Sequence, residues 1–414
     1  MDIDYNEKDW ATPCPKYDCK STACKCGLEY VNIPTSLGDD SESSTVAPKN
    51  GAYCNALVFY EANGHVYIYT KEGIPTLIDV DASDISILEQ EVRKVQRDIY
   101  ELREDIDDLI YGFDTVADMK AADLADGDYA KTLGYYSSGD GGGAYYKISS
   151  TVPSGYYETL TSGLLYAELV YEDTMNVKQF GAKGDGNTDD TTSIQSALDN
   201  SATVLVPKGT YMIDAVTNLK VRSNTKIILS NDATLEAITN SDTHYAILWL
   251  EDVTNVEISG GTLKGDRDTH TGDSGEWGHC IRIYKDCDNI FIHDIKLIDA
   301  WGDGIACGRV TGKIRTSRVY VNRARRNGYS IASASSFVST DDVIENSGGT
   351  APQCGVDIEP DYTTDKLTNV VFRNLKTKSC TGPGMQIYIK KIWTPQFLLI
   401  FKTITIMVVK MVCV

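Results

Sequence analysis

The feature of this sequence that most constrains its fold is a short segment that recurs five times in the second half. Each copy begins with glycine and carries isoleucine three residues later, and successive copies start 24, 26, 27 and 29 residues apart. Units of this length that contain only strands and turns cannot bury their apolar face alone, but stacked units can. The copies begin at Gly278, Gly302, Gly328, Gly355 and Gly384.

The repeat therefore predicts a mainly β chain built around a right-handed parallel β-helix solenoid, in which each coil adds about 4.8 Å. A leucine-rich repeat is the alternative architecture, but helical segments and its Leu/Asn pattern are missing. The other composition figures agree with a folded chain, since 42% of the 414 residues are hydrophobic and 24% are charged. The net charge of −20 argues against a nucleic-acid partner, because phosphate binding needs a surplus of Lys and Arg.

The chain divides into five stretches by composition. We predict a small β-rich head over residues 1–80, a coiled coil over 81–112, a connector subdomain over 113–175, the β-helix over 176–391 and an anomalous apolar tail over 392–414. The first five residues are acidic rather than apolar, so we expect no signal peptide.

The coiled coil is predicted from apolar residues at steps of three and four between Ile85 and Leu109. The alternative is an amphipathic helix that packs on a neighbouring domain. Isolated coils with β-branched a positions favour dimers, but we expect the larger attached domain to set the oligomer, and a homotrimer is our prediction.

The head contains four cysteines close together, Cys14, Cys19, Cys24 and Cys26. Four thiolates can hold Zn²⁺, but this spacing is not that of a standard ribbon or finger. Disulfides or free thiols are the alternatives.

The tail from Ile392 has almost no turn residues apart from Pro395 and lacks the Gly-x-x-Ile pattern, so we expect the solenoid to stop at Lys391. A shifted or truncated reading frame would explain such a segment. A membrane anchor is the alternative, although Lys402 and Lys410 interrupt the apolar run.

Strand alternation predicts that the repeated isoleucine points inward and that its two neighbours point outward. Asp357 and Glu359 then share one face with their Cα atoms about 6–7 Å apart. Glycosidases use carboxyl separations of roughly 5–9.5 Å, so this is the predicted acid/base pair. Gly304, Ala306, Ser330 and Ala332 should leave a shallow depression beside it. The alternative is that these outward residues are only solvated.

Further candidate site residues lie within the other copies of the repeat or just before one of them. Asp303, between two glycines, should be an accessible acid, and Glu276 is a fourth acid. Trp277 should stack on a sugar, while His279 and Tyr388 should contact substrate.

A basic stretch runs from Ile305 to Thr340 without a single acidic residue. We expect Arg323, Arg325 and Arg326 to bind carboxylates of a uronic-acid polymer, since Arg pairs with them bidentately. A solvated face paired with acidic loops is the alternative. The seven cations are Arg309, Lys313, Arg315, Arg318, Arg323, Arg325 and Arg326.

The segment Asn176–Thr191 resembles the entry of pectate-lyase-like β-helix domains, a group that includes polygalacturonases, rhamnogalacturonases and many phage tailspikes. Ile194–Leu198 and Val206–Tyr211 continue the resemblance, which covers residues 176 to about 390. Within it, Val177 and Phe180 should pack into the first coil, and Asp189-Asp190-Thr191 resembles a helix N-cap.

Lys131–Tyr136 and Gly139–Ala144 look like the connector before such β-helices in tailspikes and tail fibres. The resemblance implies a virion protein that acts outside the host cell, attaches to phage tail or baseplate proteins through its head, and binds and depolymerises a host surface polysaccharide. Hydrolysis is the first expectation and requires no cofactor, whereas lyase chemistry would bring in Ca²⁺. The Asp-Asp pair beside Gly-His-Gly of polygalacturonases is absent. A non-catalytic adhesin and a cellular pectin-degrading enzyme are the alternative functions.

Overall fold

The computed structural model describes the backbone of residues 31–32, 56–60, 65–69, 75–78, 90–97, 110–389, 398–406 and 409–413, and the side chains of 90–97 and 110–389. The chain separates into two compact units, Met1–Asp108 and Leu109–Val414.

The first unit contains a four-stranded sheet and a short helix. The strands are β1 (Val31–Asn32), β2 (Ala56–Tyr60), β3 (His65–Tyr69) and β4 (Pro75–Ile78). β2 and β3 pair antiparallel, and α1 covers residues 90–97 with Val92 and Val95 exposed. At residues 110–112 the predicted coiled coil is wrong, because they lie in the strand Ile110–Phe113. The rest of that prediction, and Cys14, Cys19, Cys24 and Cys26, lie outside the described residues.

The second unit begins with a five-stranded sheet in the order β5-β6-β7-β9-β8, together with helix α2. Its elements are β5 (Ile110–Phe113), α2 (Val116–Ala121), β6 (Tyr129–Thr132), β7 (Tyr145–Ser149), β8 (Tyr157–Thr159) and β9 (Tyr166–Leu169). Asp140, in the Gly-rich run, accepts hydrogen bonds from the backbone N–H groups of Tyr135, Tyr136, Ser137 and Gly142. That carboxylate therefore shapes the loop between β6 and β7.

A 3₁₀ helix (Val177–Phe180) and helix α3 (Thr191–Asn200) lead into the solenoid. Val177 and Phe180 are buried, as predicted. The predicted N-cap is wrong in one respect, because the Asp190 side chain makes no cap hydrogen bond and instead accepts from two loop N–H groups at 2.7 and 2.9 Å. Asp189 accepts from the Thr191 N–H in its place.

Most coils of the solenoid contribute three strands, each of which pairs in parallel with its counterpart one coil away. The first position forms an eight-stranded sheet, and the second and third positions form a sixteen-stranded sheet because β30 pairs with both β27 and β28. The first-position strands are β14 (Leu219–Lys220), β17 (His244–Glu251), β20 (Trp277–Tyr284), β23 (Ile305–Gly308), β26 (Tyr329–Ile331), β29 (Val356–Ile358), β31 (Met385–Ile389) and β33 (Val409–Cys413).

The second-position strands belong to the sixteen-stranded sheet. They are β10 (Met175–Asn176), β12 (Thr203–Val206), β15 (Thr225–Leu229), β18 (Thr254–Ser259), β21 (Asp288–His293), β24 (Lys313–Ser317), β27 (Ala334–Thr340), β30 (Leu367–Lys378) and β32 (Leu398–Ile406). The third-position strands are β11 (Asp185–Asp189), β13 (Gly209–Ile213), β16 (Ala233–Ala237), β19 (Thr262–Lys264), β22 (Lys296–Ile298), β25 (Tyr320–Asn322) and β28 (Val343–Glu345).

The five repeated isoleucines all lie in the core, as predicted, but they do not stack in one column. Ile281 pairs with Ile305, whereas Ile305 pairs with Tyr329 and it is Cys307 that pairs with Ile331. The glycine-based alignment therefore slips by two residues between the second and third copies. A slip of two preserves the inward face, which is why the burial prediction survives.

Two residues predicted to face outward point inward instead. Cys280 is fully buried with its Sγ near the Leu263 carbonyl, and a Cβ on Gly304 would lie 2.7 Å from Val321 Cγ1. The cysteines whose side chains are described, four buried and one half-buried, are free thiols: Cys280, Cys287, Cys307, Cys354 and Cys380.

The apolar tail was expected to add nothing to the solenoid, and its backbone differs from that expectation. β32 pairs in parallel with β30, and β33 pairs in parallel with β31. The segment is rich in β-branched residues, which favour strands, and the open edge of the last coil offers them partners. Among the described stretches, none of the helices has the length and apolarity that crossing a bilayer requires.

Candidate active site on the eight-stranded sheet

Two rows of outward residues cross the eight-stranded sheet. Successive register pairs define row one as Trp249, Arg282, Ala306, Ser330, Asp357 and Gln386. Row two lies two residues further along each strand, and it contains Glu251, Tyr284, Gly308, Ala332, Glu359 and Tyr388. The residues on both sides of each row-one member belong to the core from Arg282 onward, so strand alternation directs the row outward.

Asp357 occupies row one but is only 2% exposed. Asn327 Nδ2 donates to Asp357 Oδ2 at 3.3 Å, and Gln386 Nε2 donates to Asp357 Oδ1 at 3.2 Å. Burial, reinforced by the Glu359 carboxylate, raises the pKa of Asp357 to about 7. Asp357 is therefore a carboxyl group that exchanges its proton near neutral pH.

Asp303 does not lie in an accessible turn, so that prediction is wrong. The residue is fully buried, and Asn327 on the adjacent coil is hydrogen-bonded to it. Asp303 Oδ1 accepts the Asn327 backbone N–H at 2.9 Å, and Oδ2 accepts from Arg326 Nη1 at 3.1 Å. Burial raises the pKa of Asp303 even though Arg326 opposes the shift.

Arg326 and Asn327 connect the two aspartates. Arg326 Nη1 also contacts Ser330 Oγ at 3.2 Å, and Asn327 Nδ2 contacts the same hydroxyl at 3.0 Å. The resulting cluster runs from Asp303 through Ser330 to Asp357 without a gap. Asn327 was not among the predicted site residues, although its position directly before a repeated glycine placed it at the start of a strand.

Glu276 and His279 lie beside this cluster. Glu276 Oε2 is 3.3 Å from Arg326 Nε, so the guanidinium is shared between two carboxylates. His279 is 2% exposed, and burial lowers its pKa well below the usual range, so the ring is neutral and its 3.4 Å approach to Asp303 is not an ion pair. Its Nδ1 accepts the Asp303 backbone N–H at 3.2 Å, which fits a role in holding Asp303 rather than touching substrate.

Trp277 stands at the start of β20 and is 38% exposed. Its ring stacks on His244 with centroids 4.1 Å apart, because the two residues are register partners on adjacent coils. The pair forms a flat, partly exposed surface next to Glu276.

Arg323 and Arg325 are not brought to the acidic cluster. Arg323 Nε donates to Asp299 at 2.6 Å and its Nη2 contacts Asp268, while Arg325 lies 3.7 Å over the Trp301 ring. The basic stretch therefore separates, with Arg318 paired to Asp294 and only Arg326 reaching Asp303. Arg318 and Arg323 thus follow the alternative prediction, in which the basic residues pair with acidic side chains from loops.

Tyr388 and Glu359 occupy neighbouring positions of row two, and both side chains are half-buried. Within the residues that the structure describes, no group of three or more His, Cys, Asp or Glu side chains is arranged to hold a metal ion.

These features define a parallel β-helix whose eight-stranded sheet carries a largely buried cluster of carboxyl groups. Residues 174–396 match the family model described as rhamnogalacturonase A/epimerase, pectate lyase-like. The chain belongs to this family, which confirms the resemblance drawn from its sequence.

Individual relatives are more distant. The chain is 33% identical over 242 residues to the uncharacterized protein YclG of Bacillus subtilis, a match that covers 49% of this chain and 41% of YclG. It is 25% identical over 236 residues to the pre-neck appendage protein of Bacillus phage phi29, covering 51% and 27% respectively. The chain thus spans about two fifths or less of these curated relatives.

Among solved structures, tailspike protein gp49 of Acinetobacter baumannii phage Fri1, a capsular polysaccharide depolymerase, aligns with a TM-score of 0.58. The alignment covers 73% of this chain and 60% of gp49 at 17% identity, a level that shows the shared fold.

Proposed function

We propose that this chain is part of a phage tail spike or tail fibre that binds a host surface polysaccharide and hydrolyses it. Its family, its similarity to phage appendage proteins and the tailspike fold support this assignment. An external location on the virion follows from it, as does attachment to other tail proteins through the head.

The observation that carries the catalytic part is the raised pKa of Asp357 next to Glu359. A carboxyl group with a pKa of about 7 still holds its proton in about half of the protein molecules at pH 7, so it can protonate the leaving glycosidic oxygen. Glu359, two residues along the same face, is assigned as the partner that activates water or attacks the sugar. The two roles differ because Asp357 is buried and Glu359 is half-buried.

Asp303 and Glu276 take different roles from those expected. Both contact Arg326, and Asp303 also fixes the backbone of Asn327, which bonds Asp357. They are assigned as positioning residues that hold Arg326 and Asn327 beside the acid.

The test uses Asp357→Asn and Glu359→Gln in the full chain with purified host capsules. Reducing-end release should fall by about 10²–10⁴-fold in each variant, since each removes a group that transfers a proton or attacks the sugar. Glu236→Gln is the matched control, because Glu236 is a half-buried carboxylate paired with Lys264 at 2.7 Å on the other sheet. Unchanged release in both site variants would contradict the assignment, and ultraviolet-absorbing products would show elimination instead.

A second candidate is an adhesin that binds the polysaccharide without cleaving it. The low exposure of Asp303 and Asp357 favours it, because a purely structural carboxyl pair would also be buried and hydrogen-bonded. Capsule binding without release of reducing ends by the wild type would identify this function.

Several finer expectations belong to the same proposal. The solenoid is right-handed, as β-crossover-β connections in parallel sheets nearly always are. The protein is a homotrimer, and light scattering coupled to size-exclusion chromatography would measure that directly. Hydrolysis needs no cofactor, whereas Ca²⁺ would accompany a lyase and Zn²⁺ would occupy the N-terminal cysteines.

A further inference from the structure

Arg282 lies in row one, three strands from Asp357, and its guanidinium is held between two aromatic rings. Its Cζ atom is 5.0 Å from the centre of the Trp249 ring and 4.7 Å from the centre of the Tyr284 ring. Trp249 is the register partner of Arg282 on the preceding coil, and Tyr284 lies two residues along the same strand face. The strands themselves therefore fix the position of the cation.

Among the described residues no carboxylate lies within ion-pair distance of this cation, although the charges of Glu251 and Asp303 act on it from further away. The carboxylate nearest along the rows, Glu251, instead accepts from Trp249 Nε1 at 2.9 Å and pairs with Lys285. Arg282 Nε is buried without a hydrogen-bond partner, and burial lowers the pKa of the guanidinium. A partly dehydrated cation without a contacting carboxylate gains more from a charged ligand than a hydrated one does.

The surface between Arg282 and Asp357 is formed by small side chains. Row one contributes Ala306 and Ser330, and row two contributes Gly308 and Ala332. These positions leave a trough three strand spacings long, about 14 Å, with the cation at one end and the acids at the other. Among the positions named for the two rows, Arg282 is the only Lys or Arg, although row one continues to Lys220 at one end and Lys410 at the other. Lys285 and Arg309 flank the rows, 5.6 and 5.9 Å from the centre of the Tyr284 ring.

We propose that Arg282 binds an anionic substituent of the sugar chain, a carboxylate, sulfate or phosphate, while the bond to be cleaved lies at Asp357. The planar guanidinium suits such groups because it can donate two parallel hydrogen bonds to them. This inference rests on the proposed function and adds that one side chain, Arg282, recognises a charged group on the sugar chain about 14 Å from the bond to be cleaved.

The test combines a change in the protein with a change in the ligand. Purified capsular polysaccharides are compared in native form and after their carboxyl groups are reduced or their sulfate or phosphate groups removed, with the dissociation constant measured by biolayer interferometry. We expect Arg282→Gln to weaken binding of the native polymer about tenfold or more, and removal of the anionic groups to weaken wild-type binding similarly. The two effects should not add, since each removes the same interaction.

Two further variants control for folding and for general charge. Arg282→Lys keeps the charge but loses the fork, so its affinity should fall between those of wild type and Arg282→Gln. Arg315→Gln removes an exposed arginine that stacks on Phe291 at 4.6 Å on the other sheet, and it should bind like wild type.

Each outcome decides a separate point. Additive effects, or a bound polymer that is neutral, would overturn the role of Arg282 and leave the proposed function standing. If the wild type binds no polysaccharide at all, the proposed function itself fails and this inference fails with it. If a variant does not fold, the affinities of the wild type for the two ligand forms still show whether the anionic group is recognised, and equal affinities would overturn the inference.

Discussion

Arg326 Nη1 lies 3.1 Å from Asp303 Oδ2, and the two side chains are 15% and 1% exposed. This ion pair joins the start of β23 to the turn that precedes β26 on the next coil. Because Arg326 also contacts Ser330, this ion pair is connected to the cluster that contains Asp357. A buried charge of either sign is expensive without its partner, so the two residues should depend on each other.

Removing one partner should therefore cost nearly as much stability as removing both. Asp303→Asn and Arg326→Met should each lower the free energy of unfolding by about 3–5 kcal/mol, with the double variant well short of the sum. Urea denaturation would measure these values. The exposed pair of Arg318 and Asp294 is the control and should contribute only about 0–1 kcal/mol. Additive effects at Asp303 and Arg326 would show that the contact is not a coupled pair.

Most members of this cluster were predictable from the sequence, but their surroundings were not. Strand alternation was enough to direct Asp357 outward, because facing depends only on position within one strand. Burial of Asp357 and Asp303 depends on Asn327 and Gln386 from adjacent coils, and a single strand carries no information about that contact. The seven cations were treated as one patch because they are close in sequence, although successive strands direct them to different sheets.

The raised pKa of Asp357 predicts a specific pH dependence of stability. The unfolded chain loses this proton at its ordinary pKa near 3.8 and the folded protein only at about 7. The contribution of Asp357 to stability is therefore full below about pH 4 and is lost as the pH rises towards 7. Asp357→Asn should show a weaker loss of stability than wild type between pH 4 and 7, by an amount of the order of a few kcal/mol. Parallel curves in urea unfolding across that range would contradict the raised pKa.

Trp277 offers a prediction about binding that is independent of the acids. Trp277→Ala should weaken polysaccharide binding severalfold, because it removes a flat ring that already stacks on His244 at 4.1 Å. Trp277→Phe should recover much of the affinity. Tyr129→Ala, which removes a 46% exposed ring from the five-stranded sheet, should leave the dissociation constant unchanged. Equal effects at Trp277 and Tyr129 would indicate a nonspecific loss of surface.

The fold was more predictable than the site because the repeat period reports directly on stacking. The spacing of the glycines was sufficient to predict parallel coils, and the inward isoleucines followed from alternation. The register was not predictable in full, since Gly302 matches the Gly-x-x-Ile repeat whereas Gly304 takes the corresponding place in the stack. Only packing selects Gly304 as the neighbour of Gly328, because each glycine approaches the backbone carbonyl of the next coil.

That packing makes Gly328 a sharp test of the solenoid interior. A Cβ at this position would lie 2.3 Å from Ile344 Cγ2 and 2.6 Å from the Gly355 carbonyl oxygen, so the core would have to shift. Gly328→Ala should lower the free energy of unfolding by about 1–3 kcal/mol. Gly308→Ala is the matched control on the outer face, where the nearest atom is Tyr284 Cδ2 at 3.4 Å, and it should change stability by less than about 1 kcal/mol. Ile344→Ala should be less destabilising in the Gly328→Ala background than in wild type, because it removes the side chain that the new methyl group would strike. Equal destabilisation by the two glycine variants would show that the stacked glycines are not in contact with the core as described.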